Sequence, residues 1–385
     1  MKAKLFSLAL ATSIYTYAQT VPKPDHVVVL MMENYGYSDI IGNPNAPHIN
    51  ALVSDPNTAL FTQSFALTHP SQPNYIMLFS GSFQGVNGDN ISTNTPWSTC
   101  NLGASLISNG YTFKGFSESL SSVGSLATTA GGTNGYARKH CPWTNWQGTG
   151  TNQLPSSVGQ KFTSFPTTAA TFSTLPTVSF VIPDLGDDMH NPTILTAPTN
   201  YSVTAITNGD TWVYNNLTNY INWAKANNSL LILTFDEDDG GIPNQITTMF
   251  IGQMVQGGSY SNHITHYNVL HTLEEMYGLP YCDSSAYATS ITNVWKSNTT
   301  GIVKAISFVD EVNVYPNPNN GSFVIEPSNA TQQTMQVYDV NGKLVLSQTI
   351  TGKTNIDASS LNEGVYNISL QSSESIVNKR LVIVR

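Results

Sequence analysis

Three short segments, Val27-Val-Val-Leu-Met-Met32, Val178-Ser-Phe-Val-Ile182 and Leu230-Leu-Ile-Leu-Thr-Phe235, carry no charge and run straight into acidic residues. A strand that is apolar on both faces has no side to offer water, so each belongs inside a sheet covered on both faces. Between them lie stripes at helical spacing. Trp212, Val213, Leu217, Ile221 and Ala224 form one; Val269, Leu270, Leu273, Met276 and Tyr277 form another, stopped at Gly278-Leu-Pro280. Buried strands alternating with helices predict an α/β fold, a mostly parallel sheet with helices on both faces. Ligands of such sheets bind beyond the carboxyl ends of the strands, which is where the acidic residues fall.

Those ends read Glu33-Asn34, Pro183-Asp184-Leu-Gly-Asp187-Asp188-Met-His190 and Asp236-Glu237-Asp238-Asp239, the last followed by Gly240-Gly241. Four consecutive carboxylates repel one another and are driven toward protonation unless something positive sits among them. Oxygen ligands suit a hard divalent cation. Taken singly, Glu33 and Asn34 also read as helix caps and 236–239 as a solvated turn. A third feature is Thr68-His-Pro-Ser71-Gln-Pro73-Asn74-Tyr75, which leads into apolar residues 76–79. A serine hydroxyl becomes a useful nucleophile only beside a base or metal. Asn74 could hydrogen-bond an anionic oxygen, and His69 could orient the turn. His26, His48 and His271 read as packing or surface residues, and His266 is favoured over His263 as a functional group.

Charged residues make up 10% of the 385 and the net charge is -9, against about 25% charged in an average globular protein. No basic cluster stands out, which excludes nucleic acid as a partner. Residues 1–19 have the form of a signal peptide: Lys2 and Lys4, an apolar run 5–14, and small residues near Ala18. No later stretch reaches the length of a membrane span. Three cysteines allow one internal disulfide, expected between Cys100 and Cys141. Residues from about 81 to 176, rich in Gly, Ser, Thr and Asn, are expected to form loops and short helices around a pocket.

After residue 300 the pattern changes to alternating runs with a hairpin signal at Asn341-Gly342, predicting a small C-terminal β-sandwich. Val314-Tyr-Pro-Asn-Pro318, Val337-Tyr-Asp-Val-Asn-Gly342 and Leu361-Asn-Glu-Gly-Val-Tyr366 resemble the C-terminal sorting domain of type IX secretion substrates. That resemblance implies export by the type IX machinery and a secreted or cell-surface location. The expected organisation is a signal peptide 1–19, a catalytic domain 20–300, a linker 301–311 and a sorting domain 312–385.

Six motifs in order, around Glu33-Asn34, Ser71, Tyr136-Ala-Arg-Lys-His140, Asp184–His190, Asp236–Gly240 and His266, resemble the bacterial and fungal phosphoesterase family. That family includes acid phosphatases and non-hemolytic phospholipases C, within the alkaline phosphatase superfamily. The resemblance implies Ser71 as the nucleophile, passing through a phosphoseryl intermediate. It implies Glu33, Asn34, Asp236 and Glu237 as ligands of a divalent metal, with Asn74 binding substrate. His140, His190 and His266 would line the opposite side, binding a second metal or neutralising the phosphate and protonating the leaving oxygen. Asp184, Asp188, His190 and His266 are the candidates for a second metal site, and one metal plus histidines is the favoured arrangement. Glu237 stands where two-metal relatives carry His, which suits a metal harder than zinc. The expected activity is phosphate monoester hydrolysis on a small phosphorylated substrate. The alternatives are phospholipase C or other phosphodiesterase activity and, in another class, an inactive surface binding protein.

Overall fold

The computed structural model describes residues 21–190, 202–296, 312–328, 332–371 and 376–385. The expected signal peptide and linker lie outside the described residues. The chain divides into two compact units, parted between Lys296 and Ser297.

The first unit is built on an eight-stranded sheet. In chain order its strands are β1 (His26–Met32), β2 (Thr58–Phe61), β3 (Phe113–Ser117), β4 (Gly159–Lys161), β5 (Val178–Ile182), β6 (Ser229–Phe235), β7 (Thr248–Ile251) and β8 (Gly258–Tyr260). Their spatial order is β8-β2-β7-β6-β1-β5-β3-β4. The centre, β6-β1-β5-β3-β4, is parallel, and β7 runs antiparallel to both of its neighbours. The three apolar, acid-ended segments are therefore three adjacent strands with their carboxyl ends on one edge.

Alternation along β1 divides the core. Val27, Val29 and Met31 pack with Ile76, Phe79, Leu270 and Leu273 from helices α1 (Ser71–Ser80) and α3 (His266–Tyr277). Val28, Leu30 and Met32 pack with Ile206, Val213, Leu217 and Ile221 from α2 (Val203–Ala224). Helices thus cover both faces, as double-sided burial of the strands requires. Ser202 caps α2 by accepting from the Ala205 amide.

The segment expected to form only loops and short helices also supplies β3 and β4 to the sheet. Lys114 and Gly115 interrupt the apolar run that would have marked β3. Gly115 is there for space: a Cβ would lie 2.3 Å from the Trp143 ring. Gly81 ends α1 at φ 71°, where a Cβ would meet the Cys282 carbonyl. The disulfide joins Cys100 to Cys282, correcting the expected Cys100–Cys141 pair; Cys141 is a free, buried thiol. Cys141 lies just after His140 and its Sγ meets the Ser117 hydroxyl at 3.1 Å, inside the core.

The second unit has a three-stranded antiparallel sheet (313–315, 322–326, 354–357) and a four-stranded one (332–338, 344–351, 364–371, 376–383). They share a core that includes Phe323, Ile325, Val337, Ile356, Ile368 and Leu381. The 332–338 and 344–351 strands are joined by the Asn341-Gly342 turn, with Gly342 at φ 80°. Among the described residues, no helix is long and apolar enough to cross a membrane.

Candidate active site

Main-chain hydrogen bonds splice the three strand ends together. The Glu33 amide donates to the Asp188 carbonyl at 2.8 Å, and the Asp236 amide donates to the Met32 carbonyl at 3.0 Å. Asn34 follows at φ 54° and Met189 at φ 77°. Non-glycine residues in this region are uncommon and concentrate at functional sites. The turn at Asn34 aims its amide N–H at Asp236 Oδ1, 3.0 Å away.

Ser71 is the first residue of α1 and only 1% exposed. Its hydroxyl lies 3.1 Å from Glu33 Oε2, 3.2 Å from Glu237 Oε1 and 3.4 Å from Asn34 Nδ2. Asn34 Nδ2 also donates to Glu237 Oε1 at 3.1 Å. The structure thus gathers Ser71, Glu33, Asn34, Asp236 and Glu237 from positions as far apart as Asn34 and Glu237, which are 203 residues apart. Ser71 also sits at the positive end of the α1 dipole, which favours an anion there.

Glu33 is the hub. Its Oε1 accepts from the Tyr75 hydroxyl at 2.5 Å and lies 3.2 Å from His140 Nε2; its Oε2 faces His190 Nδ1 at 3.3 Å. Burial pushes the Glu33 carboxyl up, but His140, His190 and Lys139 outweigh it and hold the group below the usual carboxylate range. Burial, then repulsion from Glu33, push both Asp188 and Asp236 well above that range. Burial raises Glu237 against the opposing pull of His69. Burial also lowers His140 to about 3, so its ring is neutral.

Three fully buried atoms here have no hydrogen-bond partner: Asp188 Oδ2, Asp236 Oδ2 and His140 Nε2. His140 Nε2 is close to Glu33 Oε1, but the direction makes no hydrogen bond. Glu33, His140 and Asp188 present ligand atoms within 4.8 Å of one another and form a group able to hold a metal ion. Unsatisfied buried oxygens among carboxylates that cannot all stay ionised are what a cation would satisfy. The donor set fits a divalent metal.

Asp184 stands apart from this group. It lies with Glu118 and Asp187, and its Oδ2 accepts from the Ser119 hydroxyl. His266 is buried with Nε2 2.8 Å from the Asp236 carbonyl oxygen, so that nitrogen orients the β6 end; His263 instead stacks on Phe65. Asn74, expected to bind substrate, is wholly buried. Its Oδ1 accepts from the Leu67 and Thr68 amides and its Nδ2 donates to the Thr68 carbonyl at 2.8 Å. That amide holds the loop before Ser71, because Pro70 and Pro73 have no N–H to stitch the turn themselves.

His69 has a larger part than its sequence context suggested. Its Nδ1 is 2.9 Å from Glu237 Oε2 and its Nε2 is 3.3 Å from Asp238 Oδ1. Hydrogen bonds to Asp238 and then Glu237 raise it to about 10, so it is an imidazolium clamped between two carboxylates. Asp238 also accepts from the Gly240 and Gly241 amides, which makes it a turn former beside the site. His26, His48 and His271 pack against Trp223, Tyr214 and Tyr281, away from this centre.

Residues 45–280 match the model of the Phosphoesterase family, and residues 313–384 match the secretion system C-terminal sorting domain. A phosphatidylinositol-3-phosphatase of Mycobacterium tuberculosis is 44% identical over 278 residues, covering 72% of this chain and 85% of the relative. An acid phosphatase of Aspergillus fumigatus is 26% identical over 302 residues, covering 74% of this chain and 63% of the relative. A solved structure of an alkaline phosphatase superfamily protein from Vibrio parahaemolyticus aligns at a TM-score of 0.47 and 12% identity, covering 95% of this chain and 84% of that one. The sorting domain marks the chain for secretion or the cell surface. The chain belongs to the phosphoesterase family and is a hydrolase acting on phosphoric esters.

Proposed function

We propose that the protein hydrolyses phosphate monoesters through a phosphoseryl intermediate on Ser71. One observation carries this reading: a buried serine hydroxyl at a helix N-terminus lies within hydrogen-bond reach of two carboxylates. The relatives' names, phosphatidylinositol-3-phosphatase and acid phosphatase, both describe phosphate removal.

Glu33, Asn34, Asp236 and Glu237 are the residues that would hold a divalent metal beside Ser71. Asn34 would turn its amide to present Oδ1, since the two ends of an amide have the same shape. Such an ion supplies charge neutralisation to the attacking oxygen and to the phosphoryl oxygens. The Ser71 hydroxyl gives its proton toward the carboxylate oxygens it already faces, and its Oγ attacks phosphorus while the bond to the leaving oxygen breaks. His190, the most exposed of the three candidate histidines, stands on the Ser71 side of Glu33 and is the proposed donor to that leaving oxygen. His140 is neutral and buried, which suits a ligand beside Glu33 and Asp188 better than a phosphate-neutralising cation. His266 positions Asp236. Water then attacks the phosphoserine, Ser71 recovers its proton, and phosphate leaves.

The test is p-nitrophenyl phosphate hydrolysis with several divalent ions from acid to mildly alkaline pH. Wild type should turn over, and Ser71→Ala should lose at least about a thousandfold in kcat with its circular dichroism unchanged. A fully active Ser71→Ala removes Ser71 from this role. Preference for a bis-ester or phosphatidylcholine over the monoester would move the assignment to a phosphodiesterase or phospholipase.

A further inference from the structure

Beside the catalytic centre is an apolar cavity of about 340 Å³, lined mainly by Leu67, Pro73, Met77, Phe83, Val86 and Tyr267. Its size and lining are those of a small-molecule site, and no charged side chain lines it. Pro73 and Met77, four residues apart, share one flank of α1. At about 100° per residue that flank faces away from Ser71, so roughly the width of a helix, about 10 Å, separates cavity from nucleophile.

The two places share their walls. Thr68 lines the cavity, and the next residue, His69, holds Glu237. Val86 and Asn87 line it, and Asp89, two residues on, accepts from the Gln72 amide in the first turn of α1 and pairs with Lys139. Asn244, on the loop that carries fully exposed Ile242, donates to the Thr68 carbonyl from the other side. Phe83, 49% exposed, stands at the open edge.

We infer that this cavity binds the apolar tail of a phosphorylated amphiphile whose phosphate sits at Ser71, an inference that rests on the Ser71 reading above. The breadth of α1 means that the first carbons of the alcohol do not reach the cavity, whereas a long alkyl chain crossing the Thr68–Pro70 rim does. A charged body would find no charged partner on its walls.

The experiment compares butyl phosphate with dodecyl phosphate, the latter below its micelle concentration, on the full protein. Dodecyl phosphate should show a kcat/KM at least about tenfold higher, expressed in KM with kcat nearly unchanged, as for uniform binding. Val86→Trp, which fills the cavity, and Phe83→Asp, at an exposed position that leaves folding intact, should each remove that advantage. Butyl phosphate turnover should stay within about twofold of wild type in both. Equal kcat/KM for the two esters in wild type, or an advantage that survives both variants, overturns the inference. Failure to hydrolyse butyl phosphate at all, or dodecyl phosphate turnover by Ser71→Ala, would instead overturn the Ser71 reading on which it depends.

Discussion

At the scale of single residues, the site is a problem of like charges solved in two ways. Part of the negative charge is met from within the protein: His69 lies between Glu237 and Asp238, and its gain in pKa comes from those contacts. The rest, around Glu33, Asp188 and Asp236, is left for a cation. His69→Ala should therefore free Glu237 and lower metal affinity by about ten- to a hundredfold, with kcat/KM falling alongside, as is usual when a group that orients a ligand is removed. Metal titration alongside steady-state kinetics checks this, and an unchanged metal dissociation constant would reject it. Ser71, Glu33, Asn34, Asp236 and Glu237 were legible because each ends or begins a patterned element. His69 and Asp188 were under-read. The contact that matters to His69 lies 168 residues away, and Asp188 gains its place only when Met189 adopts a left-handed turn that no local pattern announces.

Among the elements, adjacency of β6, β1 and β5 does most to assemble the site, and double-sided hydrophobicity made those strands readable. Strand β3 was not readable, because a lysine and a packing glycine interrupt it. The cysteine pairing was missed because spacing along the chain says nothing about Cys282 folding back beside the end of α1. Native protein should show no free thiol reactive without denaturant, and Cys100→Ser with Cys282→Ser should cost about 2–5 kcal/mol in thermal or denaturant unfolding.

Helix α3 carries its own pH signature. Glu274 is buried; its Oε1 accepts from the Cys282 amide and its Oε2 from the Ser285 hydroxyl. Burial raises it from 4.5 to about 7. A carboxyl with a raised folded pKa favours the native state when protonated, so its stabilising effect is full below 4.5 and declines as pH rises to about 7. Glu274→Gln removes that titration. Relative to wild type, the variant should gain on the order of 3 kcal/mol between pH 4.5 and 7 and nothing further above it. Melting curves of both proteins across this range check it, and a constant difference would contradict it.

At the scale of the whole molecule, each unit has its own apolar core: two clusters flank the main sheet and a third lies within the C-terminal sheets. Every residue proposed for catalysis precedes Lys296. A chain truncated after Lys296 should thus keep kcat and KM within about twofold, while losing the match to the sorting domain. Loss of turnover on truncation would mean that the C-terminal unit takes part in the chemistry. The change of period from helical spacing to alternation made this division visible in the sequence. The apolar cavity beside α1 was invisible there, because its lining comes from four separate stretches that share no pattern.

The most direct measurement is acid quenching of the enzyme during turnover of p-nitrophenyl phosphate, followed by mass spectrometry of its peptides. One phosphoryl group should appear on the peptide containing Ser71, and it should be absent without substrate and absent from Ser71→Ala. Steady turnover with no phosphorylated serine, together with an active Ser71→Ala, would contradict the assignment of Ser71 as the nucleophile.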